Sequence, residues 1–521
     1  MKLNYKRTIC VGFAFFLICA FWQAYDNTVP LILTNKFGMS QGLSGVIMAM
    51  DNILALFMLP LFGTLSDRSH SRWGRRTPFI VVGTLIAAVA FVLLTTADNA
   101  QLRNLGDAAR IDDPAALSAI YKAEGGETLL TPDGDRFVLS EKFTEEEFSA
   151  IRSQVDTGEK TVTNPDYTNY VMPARQAYAR QMTQHRPGPM IRFVVLLLIV
   201  LVSMATFRSP AVALMPDVTM KPLRSKANAI INLMGSFGGI LVLALGIVFS
   251  TSAVRNSLMS YTGFFSVIAL IMLVALGIFL LTVRETRFVE EMRADSRKYG
   301  IDEAEDEEEA AEARGEKRRL SAGEKRSLLF LLASIVLWFF GYNAVTSKYS
   351  VYASNILHKD YNLTLIIAQA AAIIAYLPVG MLASKLGRKK TILAGVVMLA
   401  VAFGAAAFLR DNSPTMVMNV LFALAGIGWA TINVNSFPMV VEMASGADVG
   451  KYTGFYYTAS MAAQVATPMV SGFLMDKLGM TVLFPYAAVF VVLAFITMLA
   501  VRHGDSRPEA KKGLEAMDVD E

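Results

Sequence analysis

The sequence is poor in the residues that build metal, redox and acyl-transfer centres. It holds two cysteines and four histidines in 521 residues. Cys10 and Cys19 stand nine residues apart in one apolar run, too distant along a helix to bridge, and no His/Cys spacing fits a metal site. There is no glycine-rich phosphate loop and no nucleophile–base arrangement. An enzyme is therefore not expected, and no cofactor or metal is called for. Charge is scarce too. Asp, Glu, Lys and Arg make up 18% of the chain, against about 25% in soluble domains. Basic residues exceed acidic ones only by 48 to 44, which gives no reason to expect a nucleic-acid partner.

What the chain has instead is apolar surface. Hydrophobic residues make up 54% of it, and the mean hydropathy is +0.43. Runs long enough to cross a bilayer, which takes roughly 20 residues, lie near 8–34, 41–65, 77–97, 191–216, 227–252 and 258–283. A second set lies near 327–357, 363–384, 390–408, 415–441, 451–475 and 481–501. The opening MKLNYKR with its apolar run mimics a signal peptide. The run continues without an A-x-A cleavage site and reads as an uncleaved first membrane helix. The expected fold is an all-α membrane protein of twelve transmembrane helices in two six-helix halves, with a small extracytoplasmic insert.

The polar segments divide the chain further. Residues 1–97 carry helices 1–3, residues 98–190 form an insert, and residues 191–283 carry helices 4–6. Residues 284–326, with the acidic run DEAEDEEEAAEA followed by RGEKRR, read as a charged linker. Residues 327–502 form the second half, and 503–521 a tail. Within the insert, ETLLTPDGDRFVLS predicts a hairpin with an Asp-Gly turn, and SEKFTEEEFSAIRSQ a capped helix.

Lys and Arg in short loops set the expected orientation. Lys2, Lys6 and Arg7 precede the first run, and Arg68, Arg72, Arg75 and Arg76 follow the second. Lys221, Arg224 and Lys226 follow the fourth, and Lys385, Arg388, Lys389 and Lys390 the eighth. All fall on one side if twelve spans alternate. Both termini and the linker are then cytoplasmic, the insert is external, and the bilayer expected is the plasma membrane.

The two halves repeat. GTLSDRSHSRWGRR (63–76) follows run 2, and GMLASKLGRKK (380–390) follows run 8. Run 4 ends in Pro216-Asp217 with Lys226 nine residues on; run 10 contains Pro438 and ends in Glu442, with Lys451 nine residues on. Parallel halves with a binding site between them near the midplane are a transporter architecture. An acid at a helix end beside arginines can form charge-assisted pairs. Asp67, Arg68, Arg75, Arg76, Asp217, Glu442 and Arg388 are therefore candidate gating residues, expected to latch the cytoplasmic side in one state; topology-setting by the same positive loops is the alternative.

These motifs carry a resemblance. SDRSHSRWGRRTPFI (66–80) resembles the expanded loop signature of the major facilitator superfamily, in the form found in the plant sucrose transporters and their relatives. It is also similar to that of the glycoside-pentoside-hexuronide:cation symporters, and FRSPAVALMPD (207–217) resembles a fourth-helix stretch of the same group. The resemblance implies cation-coupled uptake of a sugar or glycoside. The family's cation sites do not carry over. The paired aspartates of melibiose-type symporters align with Ala55 and Leu59, and the fourth-helix aspartate of the sucrose carriers aligns with Leu201.

The chain's own buried polar residues are the remaining guide. A charge at mid-membrane costs roughly 2.5–3.5 kcal/mol on insertion scales, so each one within a run suggests function. Asp51, and next to it Asp26, are the expected proton carriers, because an ionised acid in an apolar cavity is costly and a neutral one is not. Arg208 and Lys348 are expected to contribute to binding, with helix anchoring (Arg208) and snorkelling to the interface (Lys348) as alternatives. Sugars need amide partners for hydroxyls and aromatic faces for C–H surfaces. The candidates are Gln23, Asn52, Asn232, Tyr342, Asn343, Gln369, Asn433, Asn435 and Gln464, with Trp22, Trp338, Trp429 and Tyr456. The expectation is a monomeric proton-coupled symporter of a sugar, a disaccharide first. Export or exchange of another small solute, or a sensor or scaffold using the insert, are the alternatives.

Overall fold

The structure is a computed structural model that describes residues 3–156, 161–220, 223–299, 321–441, 443 and 449–503. Twelve long helices form two bundles. The first half holds α1 (Tyr5–Leu31), α2 (Gln41–Asp67), α3 (Thr77–Leu105), α4 (Gly188–Asp217), α5 (Arg224–Val248) and α6 (Thr262–Thr282). The second holds α7 (Ala322–Tyr352), α8 (Tyr361–Leu386), α9 (Arg388–Ala406), α10 (Thr415–Val441), α11 (Val449–Leu478) and α12 (Leu483–Leu499). Ten of these are long and apolar enough to cross a membrane over their described residues; the described stretch of α8, Tyr361–Tyr376, is apolar but shorter, and α11 is less apolar. α11 carries Ser460, Gln464, Thr467 and Ser471 and packs against α2 of the first half. Polar residues that face the interior lower the hydropathy of a helix without exposing it to lipid.

Each half has its own apolar core. Phe21, Phe91, Phe193, Phe207 and Phe265 fill the first, where the rings of Phe91 and Phe265 stack at 4.1 Å. Trp338, Tyr349, Tyr352, Phe422 and Phe484 fill the second. The repeat inferred from the loops extends to the backbone. The first helix of each half ends in a π-helical turn, Ile32–Lys36 after α1 and Ala353–Leu357 after α7. A widened turn of this kind adds a residue without breaking the helix and re-aims the chain beyond it.

The boundaries drawn from hydropathy shift in two places, each for a polar reason. Hydropathy puts Asp98 and Gln101 in the insert, but they belong to the last turns of α3, both fully buried. Lys36 Nζ meets Asp98 Oδ1 at 2.5 Å and donates to the Met259 carbonyl at 2.6 Å, while Asp98 Oδ2 accepts from the Tyr261 amide. A paired acid can end a membrane helix inside the bundle where an unpaired one could not. The linker likewise begins as structure: Glu285–Lys298 is a helix. Phe288 and Val289 pack on the first half's core, and Glu291 pairs with Arg7 at 3.3 Å. The acidic run itself lies outside the described residues.

The insert folds around a core of its own, with Leu117, Ile120, Leu139, Phe148, Tyr167 and Val171 buried. Its hairpin pairs β1 (Thr128–Leu130) with β2 (Arg136–Val138), Thr128 opposite Val138. Gly134 supplies the positive φ of +96° that the Asp-Gly turn requires. The helix Glu145–Ala150 starts with a reciprocal Thr144–Glu147 capping box. A second hairpin, β3 (Gln154–Asp156) with β4 (Thr161–Thr163), precedes the helix Met172–His185. Beside it, burial and then the neighbouring Glu127 carboxylate push the Glu124 carboxyl up to about 7, against the opposing pull of Arg180.

Candidate functional site

A cavity of about 460 Å³ lies between the halves, lined from both. The polar residues converge because each helix presents one face to it. On α1, Cys19, Trp22, Gln23 and Asp26 follow the three-and-four spacing that stacks side chains on one side of a helix. Asp51 and Asn52 enter from α2, Arg208 from α4, and Asn232 and Ser236 from α5. The second half contributes Asn343, Thr346 and Ser347 from α7, Gln369 and Tyr376 from α8, Asn433 from α10 and Gln464 from α11.

The charges are grouped. Asp51 accepts from the Asn52 side-chain amide at 2.8 Å. Arg208 lies within electrostatic reach of both Asp26 and Asp51, and its guanidinium sits over the Trp22 ring at 5.9 Å. The Gln369 amide donates to Gln23 Oε1 at 2.5 Å, a bond that joins the halves across the cavity. Two buried donors on the wall, Trp22 Nε1 and Asn343 Nδ2, have no acceptor among the described residues. A buried N–H left without a partner is costly, so such donors mark where a ligand oxygen would be bound.

Six predicted binding residues do not line the cavity: Lys348, Tyr342, Asn435, Trp338, Trp429 and Tyr456. Lys348 points away from the cavity, fully buried, and its ammonium donates to the Gln41 carbonyl at 2.7 Å. It therefore does not snorkel either. Tyr342 stacks face to face on Trp429 at 3.7 Å, inside the second half. Asn435 is two residues past Asn433 and so about 200° around the helix; its amide donates back to the Thr431 carbonyl at 2.9 Å. Trp338 lies in the second core, and Tyr456 meets Ser436 at 3.2 Å. Neither faces the cavity.

The gating candidates lie at the other end, where both termini emerge. Arg76 pairs with Asp67 at 2.5 Å and with Asp217 at 2.9 Å, and Arg75 lies 3.6 Å from Asp217. These bonds join α2, α3 and α4 of a single half, so in this state, sealed at the opposite face, they brace that half. Arg68 is exposed, Arg388 starts α9 half-buried, and Glu442 lies outside the described residues. Sequence reasoning misses one member of this cluster. The buried Glu285 carboxylate accepts from the amides of Arg75, Arg76 and Thr77 at 2.6 to 3.0 Å and from the Thr77 hydroxyl at 2.8 Å. An acid at a helix N-terminus satisfies its unpaired amides and favours the helix dipole, but here it arrives from some 200 residues downstream, beyond local capping signals.

Apart from the Gln369–Gln23 bond across the cavity, the hydrogen bonds described between the halves gather at the end that carries the insert. Asp476 of α11 accepts from the amides of Gln41 and Gly42 at 2.7 and 2.8 Å. Thr251 meets Tyr361 at 2.8 Å, and Asn362 donates to Thr251. The buried residues of α2 cluster on the insert side of Asp51, at Gln41, Gly42, Ser44, Gly45, Met48 and Ala49, and beyond it only Ala55 and Ser66 are buried. The cavity is thus sealed at the insert-bearing face.

Two parallel six-helix halves around a central polar cavity are matched by family models along most of the chain. The model described as Major Facilitator Superfamily matches residues 187–369 and 350–518, more than half of the chain. The chain belongs to the Major Facilitator Superfamily. A second model, described as MFS/sugar transport protein, matches residues 10–103. The protein is therefore a multi-pass membrane protein of a transporter superfamily and not an enzyme. Among curated relatives, the chain is 33% identical over 76 residues to the Escherichia coli (strain K12) protein named "Putative glycoside/cation symporter YagG". That match spans 14% of this chain and 16% of the relative. The chain is also 26% identical over 123 residues to the MFS-type transporter ppzB of Metarhizium rileyi (strain RCEF 4871), 24% of this chain and 25% of that one. The chain thus matches a quarter or less of the length of these relatives.

Solved structures show the major facilitator fold over nearly all of it. The inward open conformation of the xylose transporter XylE from E. coli superposes with a TM-score of 0.59 at 15% identity, covering 98% of each chain. A bacterial homologue of the human drug peptide transporters PepT1 and PepT2 gives 0.56 at 12% identity, covering 96% of this chain and 98% of that one. Sugar and peptide carriers match almost equally well, so the shared fold does not name a cargo.

Proposed function

We propose that this chain is a proton-coupled symporter that takes up a sugar or glycoside, a disaccharide first, by alternating access. The observation that carries the reading is the cavity wall. Two carboxylates and one guanidinium share it with seven amide side chains, and Trp22 and Asn343 offer donors that lack an acceptor among the described residues. Amides and an indole suit a neutral, hydroxyl-rich ligand. The cavity volume falls within the range of small-molecule sites, roughly 300–1,000 Å³. Asp51 and Asp26 are the proton carriers in this reading, and Arg208 is the counter-charge that competes with the proton for them. The curated symporter relative and the sugar-transport family model support the sugar assignment.

The test is uptake into proteoliposomes. Radiolabelled di- and monosaccharides are offered with and without an inward proton gradient. Accumulation of one of them that collapses with an uncoupler is the expected result. Gradient-independent equilibration of every sugar would remove the proton from the reading, and no sugar uptake at all would remove the substrate class.

The orientation rests on the basic loops: the insert outside the plasma membrane, both termini in the cytoplasm. In a cysteine-free background, a cysteine at the exposed Ala115 should react with an impermeant maleimide on intact cells, and one at the exposed Tyr299 should not. The reverse pattern would invert the assignment.

A further inference from the structure

The insert belongs to the first half by chain connection and by contact. Arg180 donates to the Gly38 carbonyl at 3.1 Å, Gln176 to Asn35 at 3.0 Å, and Gln101 of α3 to Thr183 at 2.9 Å. Val254, from the connection between α5 and α6, is buried in the insert's own core. These bonds hold it as an arm on that half. Its hairpin tip nevertheless touches the other half. The Met480 amide, just past α11, donates to the Pro132 carbonyl at 2.7 Å.

The approach is close enough to demand glycine on both sides. A Cβ on Gly134 would lie 2.9 Å from the Leu478 carbonyl oxygen, and one on Gly479 would lie 2.5 Å from that of Asp133. Both glycines also have positive φ, +96° and +86°, so each position is constrained twice. The docking point lies only a few residues beyond Asp476, which caps α2 across the interface, and α2 and α11 pack backbone to backbone beneath it. A Cβ on Gly45 would overlap the Pro468 carbonyl oxygen, and one on Gly472 would overlap that of Gln41. Two tiers therefore close this face: the α2–α11 contact, and the hairpin tip laid over its end.

We propose that the insert is a strap: its hairpin tip must leave residues 478–480 each time the insert-bearing face opens, and its docking holds the protein in the state sealed at that face. The inference rests on alternating access but not on the identity of the solute. The strap adds a backbone hydrogen bond and a glycine-to-glycine contact that exist only in the closed state, and only contacts that differ between two states shift their balance.

The experiment needs no substrate. Cys19 lines the cavity and reports when the insert-bearing face opens. The full chain carrying Cys10→Ala is reconstituted in one orientation, and an impermeant maleimide is added on the insert-bearing side. Gly134→Val blocks docking from the tip. Met480→Pro deletes the N–H donor at the first position of a short 3-10 turn, where proline is tolerated. Both variants should raise the rate of Cys19 modification about tenfold, the shift expected from losing one backbone bond and its packing. Modification from the other side should slow. Rates equal to the parent in either monodisperse variant would overturn the strap. Because sugar uptake is not the readout, failure here is distinguishable from failure of the transport reading.

Discussion

Asp51→Asn is expected to abolish uphill accumulation driven by a pH gradient and to leave counterflow exchange of preloaded sugar intact. The amide mimics the permanently protonated acid. Exchange needs the carrier to cross loaded in both directions and never requires the proton to leave, whereas net accumulation requires its release in every cycle. Asp51 lies on the cavity wall, held by the Asn52 amide at 2.8 Å and facing Arg208. An ionised acid there is costly unless the guanidinium is near, and a neutral one is not. Moving Arg208 relative to the acids would thus couple protonation to conformation. Asp26 lies on the same wall within reach of the same arginine, so Asp26→Asn run in parallel apportions the role. Accumulation lost only in Asp26→Asn would move the carrier to α1. Normal accumulation in both would refute coupling through these acids, and sodium-dependent uptake at constant pH would then identify another cation as the driver.

Asp98→Ala should destabilise the protein by about 3–5 kcal/mol, the cost typical of removing one partner from a buried ion pair. The Lys36 ammonium is fully buried, with Asp98 as its counter-charge, the Met259 carbonyl as a second acceptor and the Tyr261 ring 4.7 Å away. Without the carboxylate it keeps one neutral acceptor and the ring. The end of α1, the end of α3 and the loop before α6 all meet at this pair, so its loss should loosen the insert-bearing end of the first half. Thermal melting in detergent reads the effect. The double variant Lys36→Met/Asp98→Leu should recover most of it, since apolar replacement of a buried pair is often neutral. A double variant as unstable as Asp98→Ala would show that packing at this site, and not the orphaned charge, is what matters.

Glu285 and Lys348 mark the boundary of what local reading can reach. Both are charged side chains that satisfy backbone groups of distant helices: Glu285 the amides that open α3, Lys348 the Gln41 carbonyl of α2. A capping motif is legible when donor and acceptor are a few residues apart, as in the Thr144–Glu147 box. When the acid comes from another helix, only the packing reveals it. The same holds for the pairs around Arg76. Their chemistry is evident from the loop motif, but whether they bridge the halves or brace one of them depends on which helices meet.

The sequence by itself determined the helices and singled out the two acids that line the cavity. Apolar run length and loop charge are properties of single segments, and an acid within such a run is conspicuous because its burial is expensive. Tertiary structure alone decided which polar residues face one another. Asn433 and Asn435 share a run, as do Asn343 and Lys348, yet one of each pair lines the cavity and the other does not. Each residue turns about 100° around the helix axis, so residues two or five positions apart point about 200° or about 140° away from each other. The rotation of each helix is set by what it packs against. The insert's tip on residues 478–480 was beyond reach for the same reason: its hairpin is visible in the Asp-Gly turn, but the surface it covers is assembled only when the two halves come together.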